Sequence, residues 1–399
     1  MSSSTPFLNA VFQHRRWTFL GTGFRPFFWF GTLMSSVWML LWLLLLSGHL
    51  SLNSHLPLPY WHAHEMLFGF VAAIIAGFLL TATQNWTGRI TATGPSLLFL
   101  VLVWAAGRAV MLGGDALPVS LVITVDMAFI PCLLFFVARP VVAARHTRSI
   151  ALVVILGVLA SCNLLVHLGG AGYLPAATTP ALHATVNVIT LLMVIIGGRV
   201  IPFFTRNTLQ IPIYQFIWLE RLAIGSVTAL LIIEAISGIN ALTGAIALAA
   251  GIFNLIRLLG WGGHKTLSQP LLWVLHLAYL WICVGLVVKG LDAYLGGDYH
   301  SIAIHLLTVG AMGTLILGMI SRVALGHTGR RMVLPKRMVV AYGLITLGVI
   351  VRTGGPLLLP THMVAVWLLS GGLWIGAFGV FLFHYTPILW RSRIDGRPG

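Results

Sequence analysis

The sequence predicts an all-α integral membrane protein with twelve transmembrane helices, and two observations carry that prediction. Of 399 residues, 58% are hydrophobic and 8% are charged, where a soluble domain carries about 25% charge; mean hydropathy is +0.97. Apolar runs of about 20 residues, long enough to cross a bilayer, follow one another through the whole chain.

The spans are expected at 26–46, 62–83, 95–113, 117–138, 149–168, 181–204, 216–237, 239–259, 270–290, 301–323, 338–354 and 362–385. The first follows Gly23-Phe24-Arg25-Pro26-Phe27-Phe28, where the aromatic residues suit an interfacial belt and Arg25 a lipid phosphate. The second opens on Trp61-His62-Ala63-His64-Glu65 and leaves through Thr87-Gly88-Arg89. The third ends on Gly107-Arg108 before Gly113-Gly114. Asp126 and Glu234 are intramembrane acids in the fourth and seventh spans, suited to proton relay or to pairing. The tenth opens on His300 and His305 and leaves through Thr328-Gly329-Arg330. The eleventh holds Arg352 before Gly354-Gly355. Loops are short, so residues 1–399 read as a single polytopic domain. Residues 1–25 are its N-terminal segment and 386–399 its basic tail.

The formal charge of +15 would suggest nucleic acid in a soluble protein. Here Lys and Arg collect in the loops on one side, from Arg15 and Arg16 through Arg89, Arg145 and Arg206 to Arg397, while Asp115 and Asp298 lie on the other. That is the positive-inside pattern, so both termini are expected in the cytoplasm and no nucleic acid is implied. Cys132, Cys162 and Cys283 fall inside apolar runs with no CxxC spacing, which points away from disulfides, zinc ribbons and covalent c-type heme. No cleavable leader precedes the first span.

Spans 2, 6 and 10 look like copies. His64 and His305 stand at the same offset from their Thr-Gly-Arg exits, and His183 is shifted by one from Thr205-Arg206. His64 to His183 is 119 residues and His183 to His305 is 122. Three pseudo-repeats of four spans follow, with a site expected where they meet.

Fifteen histidines against eight carboxylates favour heme or metal ligation over carboxylate-driven ion coupling. The candidates are His62, His64, His183, His300 and His305 near the outer face, with His276 deeper in span 9. A plain interfacial or hydrogen-bonded histidine is the alternative at each. His64 and His305 are expected to hold one heme, and His62 with His183 a second heme or a copper near it. Arg108 and Arg352 lie at the depth for heme propionates. His62 and His64 are about 200° apart around a helix and face opposite sides. Glu65 is the nearest acid for protons. His14, His49, His55, His146 and His264 read as solvated loop residues, with His49 and His55 also open as an outer copper site. His327 reads as structural.

Several motifs together resemble the NnrS family. They are Phe24-Arg25-Pro26-Phe27-Phe28, Trp61-His62-Ala63-His64-Glu65-Met66 with Gly69, Asn85-Trp86-Thr87-Gly88, Gly198-Arg199-Val200-Ile201-Pro202-Phe203-Phe204-Thr205 with Asn207, and Gly326-His327-Thr328-Gly329-Arg330. The resemblance implies a bacterial inner-membrane protein with heme, expected as b-type, and copper, linked to nitric oxide and nitrosative stress. A quinol or another electron donor in the bilayer would be its partner. The architecture alone is also similar to heme-copper oxidases and nitric oxide reductases, whose ligands lie on spans 2, 6 and 10. The present chain departs from them in span 7, which has Glu234 and no histidine. Nitric oxide sensing or sequestration without turnover, protection of iron pools, and secondary transport are the alternative functions.

Overall fold

In a computed structural model that describes residues 18–396, the chain forms a bundle of long helices, with no strand among the described residues. In chain order the long helices are α1 (Phe24–Leu46), α2 (Leu58–Thr87), α3 (Pro95–Gly113), α4 (Val119–Ala143), α5 (Ile150–Gly170), α6 (Thr178–Leu209), α7 (Ile217–Ser237), α8 (Ala241–Leu259), α9 (Pro270–Asp292), α10 (His300–His327), α11 (Lys336–Leu358) and α12 (Met363–Trp390). Eleven of these are long and apolar enough to cross a membrane. The exception is α7, which has 21 residues but carries Glu220, Arg221 and Glu234. Two of those charges are paired inside the bundle, Glu220 with Arg257 and Glu234 with Lys289. His14, Arg15 and Arg16 lie outside the described residues.

The histidine-bearing helices form the centre. In α2 and α6, 83% and 78% of the most apolar stretch is buried, against 33–44% in α1, α3, α4, α5, α8, α11 and α12. An all-round apolar sequence is what a helix surrounded by other helices needs. α12 packs along both α11 and α1, so the last helix closes back on the first.

α2 and α10 share a local irregularity. Each widens into a π turn directly after its histidine, Glu65–Val71 after His64 and Leu306–Gly313 after His305. Such turns expose backbone and recur at functional sites. Trp104 of α3 uses this opening and donates its Nε1–H to the Gly69 carbonyl at 2.9 Å. Gly69 also leaves room for its neighbours: a Cβ there would stand 2.9 Å from Arg108 Nη1. Both helices end on a left-handed glycine, Gly88 (φ 66°) and Gly329 (φ 74°). α6 has no such π turn and ends on Gln210 instead.

Arg25 does not face lipid phosphate. It is fully buried and donates from Nη1 to the carbonyls of Leu389 and Arg391, both at 2.8 Å, clamping the end of α12 against the start of α1. α12 runs on to Trp390, so residues 386–390 of the segment assigned to the tail are helical.

Candidate functional site

A cavity of about 790 Å³ lies among α1, α2, α6, α10, α11 and α12. Its wall is mostly apolar, with Met39, Leu67, Phe70, Met312 and Trp374, and it is interrupted by five basic side chains: His62, His183, His300, His305 and Arg352. All five are half-buried because they face this space.

The hydrogen bonds fix what each ring offers. His305 Nδ1 lies 2.6 Å from the Ser301 carbonyl, one turn earlier in α10. A carbonyl only accepts, so Nδ1 carries the proton and Nε2 presents a lone pair. That lone pair accepts from Arg352 Nη2 at 3.1 Å. Arg352 lies over the Trp367 ring at 5.8 Å and has no carboxylate within ion-pair distance among the described residues. His62 stacks on Trp42 with ring centroids 4.4 Å apart and planes 16° apart; no hydrogen bond ties its ring nitrogens to a described residue. His183 and His300 point Nε2 at Nε2 across 3.0 Å. Behind them stand carboxylates, Asp292 at 3.5 Å from His300 Nδ1 and Glu234 at 4.0 Å from His183 Nδ1. Asp292 thus stands beside His300, whereas Glu234 is too far from His183 for a hydrogen bond and pairs with Lys289 instead.

His64 faces away from the cavity into a polar cluster between α2, α3, α4 and α5. Arg108 donates to both Glu65 and Asp126. His64 Nδ1 donates to Glu65 Oε1 at 3.0 Å, and Nε2 to Asn163 Oδ1 at 2.9 Å, with Asp126 Oδ2 at 3.3 Å. Asn163 Nδ2 and His167 Nε2 both donate to Asp126 Oδ2, at 2.9 and 2.8 Å. His167 Nδ1 meets His55 Nε2 at 3.0 Å. Both His64 nitrogens face acceptors, so both carry protons. The cluster then holds two positive and two negative charges. His55 lies in the loop before α2. Burial first, and His167 second, push its pKa down to about 4.

His64, Asp126 and His167 offer ligand atoms within 4.8 Å of one another, a spacing that could hold a metal ion. Their hydrogen bonds are already complete, however, and the Arg108 cation sits on Asp126. A metal there would have to displace protons and compete with that charge.

The sequence-predicted residues therefore divide. His62, His183, His300, His305 and Arg352 share one cavity. His64, Glu65 and Arg108 belong to the polar cluster, so the expected pairing of His64 with His305 is not one the structure brings together. Nor does Arg108 reach the cavity, because two carboxylates hold it. His276 accepts or donates at Nε2 with Thr205 Oγ1 at 2.9 Å, away from both. Sequence reading missed His167 and Lys289. His167 follows Asn163 by one helical turn, a polar i, i+4 pair in an apolar span, and that was the available signal. Lys289 donates to Asn187 Oδ1 at 2.9 Å and pairs with Glu234 at 2.8 Å.

No curated protein matches the chain. The family model described as NnrS protein matches residues 18–393, nearly its whole length. The chain belongs to the NnrS family.

Proposed function

We propose that this chain is a bacterial inner-membrane protein that binds heme and copper in the α1–α2–α6–α10–α11–α12 cavity and there reduces nitric oxide. In this reading α7 is a twelfth span, the twelve form three units of four, and both termini are cytoplasmic.

One observation supports the cavity assignment above the others: four histidines and an arginine without a carboxylate converge on one large apolar space. Heme asks for that set, with an apolar wall for the macrocycle, imidazole for the iron and a cation for a propionate. His62 from α2 and His305 from α10 would hold the heme, with Arg352 on a propionate. His183 and His300 would hold the copper, with Asp292 beside His300. When bound, the two groups supply gas binding and one-electron chemistry.

The chain's own residues do the rest. Leu67, Phe70 and Met312 exclude water and admit a small neutral gas. The Ser301 carbonyl sets the His305 tautomer. Reduction of two nitric oxide molecules takes two electrons and two protons and yields nitrous oxide and water. The electrons would come from a quinol or another membrane donor.

Heme and copper analysis of purified protein, with absorption spectra before and after nitric oxide, tests the binding. Anaerobic consumption of nitric oxide with a quinol tests turnover. Heme-loaded protein that binds the gas without consuming it would replace reduction with sensing or sequestration. A colourless protein would overturn the whole reading and favour transport.

A further inference from the structure

Where the ends of α1, α10 and α12 meet, the bundle gathers arginines around one point. The tail after α12 turns back onto the exit of α10. Ile394 N–H donates to the Thr328 carbonyl at 3.2 Å, and Arg393 Nη1 to the His327 carbonyl at 2.8 Å. Gly329 makes that approach possible, because a Cβ there would stand 2.7 Å from Asp395 Cγ. On the other side Thr18 Oγ1 lies 3.3 Å from Ser392 Oγ, and Arg25 Nη1 holds the carbonyls of Leu389 and Arg391. This packing brings Arg25, Arg330, Arg391 and Arg393 within reach of one another's charge.

Like charges so gathered repel. Arg393 is paired with Asp395, but Arg330 and Arg391 have no carboxylate within ion-pair distance among the described residues. Arg391 is exposed. Arg330 is half-buried, and its Nη1 is shut off from solvent with no hydrogen-bond partner. Burial first, and the Arg391 charge second, lower the Arg330 pKa from the ordinary guanidinium value. A general excess of arginine in loops on one side of a membrane accounts for exposed side chains, not for this one. Arg89 gives the contrast: it follows the same Thr-Gly pair at the end of α2, yet it is exposed. A phosphate suits guanidinium forks and cancels their repulsion. The surroundings are those of a membrane interface. Trp390 is 47% exposed and stacks on Phe19 with ring centroids 4.1 Å apart, and Trp29 Nε1 donates to Thr386 Oγ1 at 3.0 Å. Tryptophans at span ends settle at headgroup level, and basic pockets between helix ends take anionic headgroups.

We propose that Arg330 and Arg391 bind the phosphate of an anionic phospholipid where the ends of α1, α10 and α12 meet. The headgroup phosphate accepts from the two guanidiniums, and the acyl chains run beside Trp390. Arg25 positions the site by holding the Arg391 carbonyl, and Arg393, kept on Asp395 and the His327 carbonyl, ties the tail to α10. The site lies apart from the histidine-lined cavity and does not depend on what binds there.

Binding of acyl-labelled phosphatidylglycerol to the full-length protein in neutral detergent, followed by fluorescence anisotropy, tests the site. Arg330→Gln and Arg391→Gln should each weaken it roughly tenfold to a hundredfold, the loss of one charged hydrogen bond. Arg89→Gln removes the same charge from the exposed copy and should leave the affinity nearly unchanged. Labelled phosphatidylcholine, which carries no net charge, should bind more weakly. An equal loss in all three variants would mean charge attraction without a site and overturns the proposal. So does unchanged affinity in Arg391→Gln, or phosphatidylcholine binding as tightly as phosphatidylglycerol. Displacement of the lipid by millimolar inorganic phosphate would give the two arginines to a free phosphate ion and overturn the lipid assignment. Arg391 is exposed, so its variant decides the matter even if Arg330→Gln fails to fold.

Discussion

Two polar regions in this bundle solve opposite problems. Around Asp126 the charges cancel and every ring nitrogen of His64 and His167 has a partner. Around Arg352 a cation and several imidazoles face an apolar space with no carboxylate on the arginine. Buried ions persist when they are paired and hydrogen-bonded. The first region meets that condition with the chain's own side chains. The second leaves Arg352 facing the cavity with no carboxylate in ion-pair distance among the described residues. The contrast separates two histidines that stand only two residues apart, His62 and His64.

The contrast can be broken most severely at Asp126. Removing this carboxylate in Asp126→Ala strands Arg108 and His64 and should destabilise the protein by about 3–5 kcal/mol, read as a lower melting temperature in detergent. A loss well under 1 kcal/mol would mean that the cluster is not the paired network described. At the cavity the expected sign differs. Arg352→Gln should leave the stability of heme-free protein unchanged or raised. It should weaken heme retention by roughly tenfold to a hundredfold, the loss of one charged hydrogen bond of about 1.5–3 kcal/mol. Heme titration into the apoprotein measures it; equal affinity would remove Arg352 from the site.

Smaller effects sharpen the same division. Gly69→Ala pushes a Cβ to 2.2 Å from Met34 Cε and 2.9 Å from Arg108 Nη1. Met34 is flexible but Arg108 is held by two acids, so about 1–3 kcal/mol of overpacking strain is expected. The smallest effect is at His55. Its folded pKa lies near 4, below the ordinary 6.5. Between those values the unfolded chain takes up the proton and the folded one does not. Its contribution to stability is therefore present above about pH 6.5 and is lost as pH falls towards about 4. His55→Gln should flatten that part of the melting-temperature profile.

Much of the architecture was legible from the chain because burial in a membrane bundle leaves a plain compositional trace. The histidine-bearing spans 2 and 6 are the most buried helices, and the Thr-Gly-Arg exits of spans 2 and 10 are the left-handed glycine terminators of α2 and α10. The partner of each histidine was less legible. Equal offsets give His64 and His305 equivalent places on their own helices, each followed by a π turn. Equivalent places around a bundle are separated, not adjacent. His64 thus reaches Arg108 through Glu65 and Asp126, while His305 takes a hydrogen bond directly from Arg352. It is His62, on another face of α2, that joins His305 at the cavity. His167 and Lys289 escaped notice because their roles depend on which face of α5 and α9 turns inward, and all-round apolar helices do not signal that face. Glu220, Arg221 and Glu234 are all visible as charge in α7, but the partners Arg257 and Lys289 lie in other helices.

The most direct measurement compares His62→Ala, His305→Ala and His64→Ala for heme bound per folded protein, counted by pyridine hemochrome on monodisperse samples. The account predicts that His62→Ala and His305→Ala lose heme or shift its absorption spectrum. His64→Ala should be less stable, yet the fraction that folds should keep native heme content and spectrum. Loss of heme in folded His64→Ala, with His62→Ala unaffected, would contradict it.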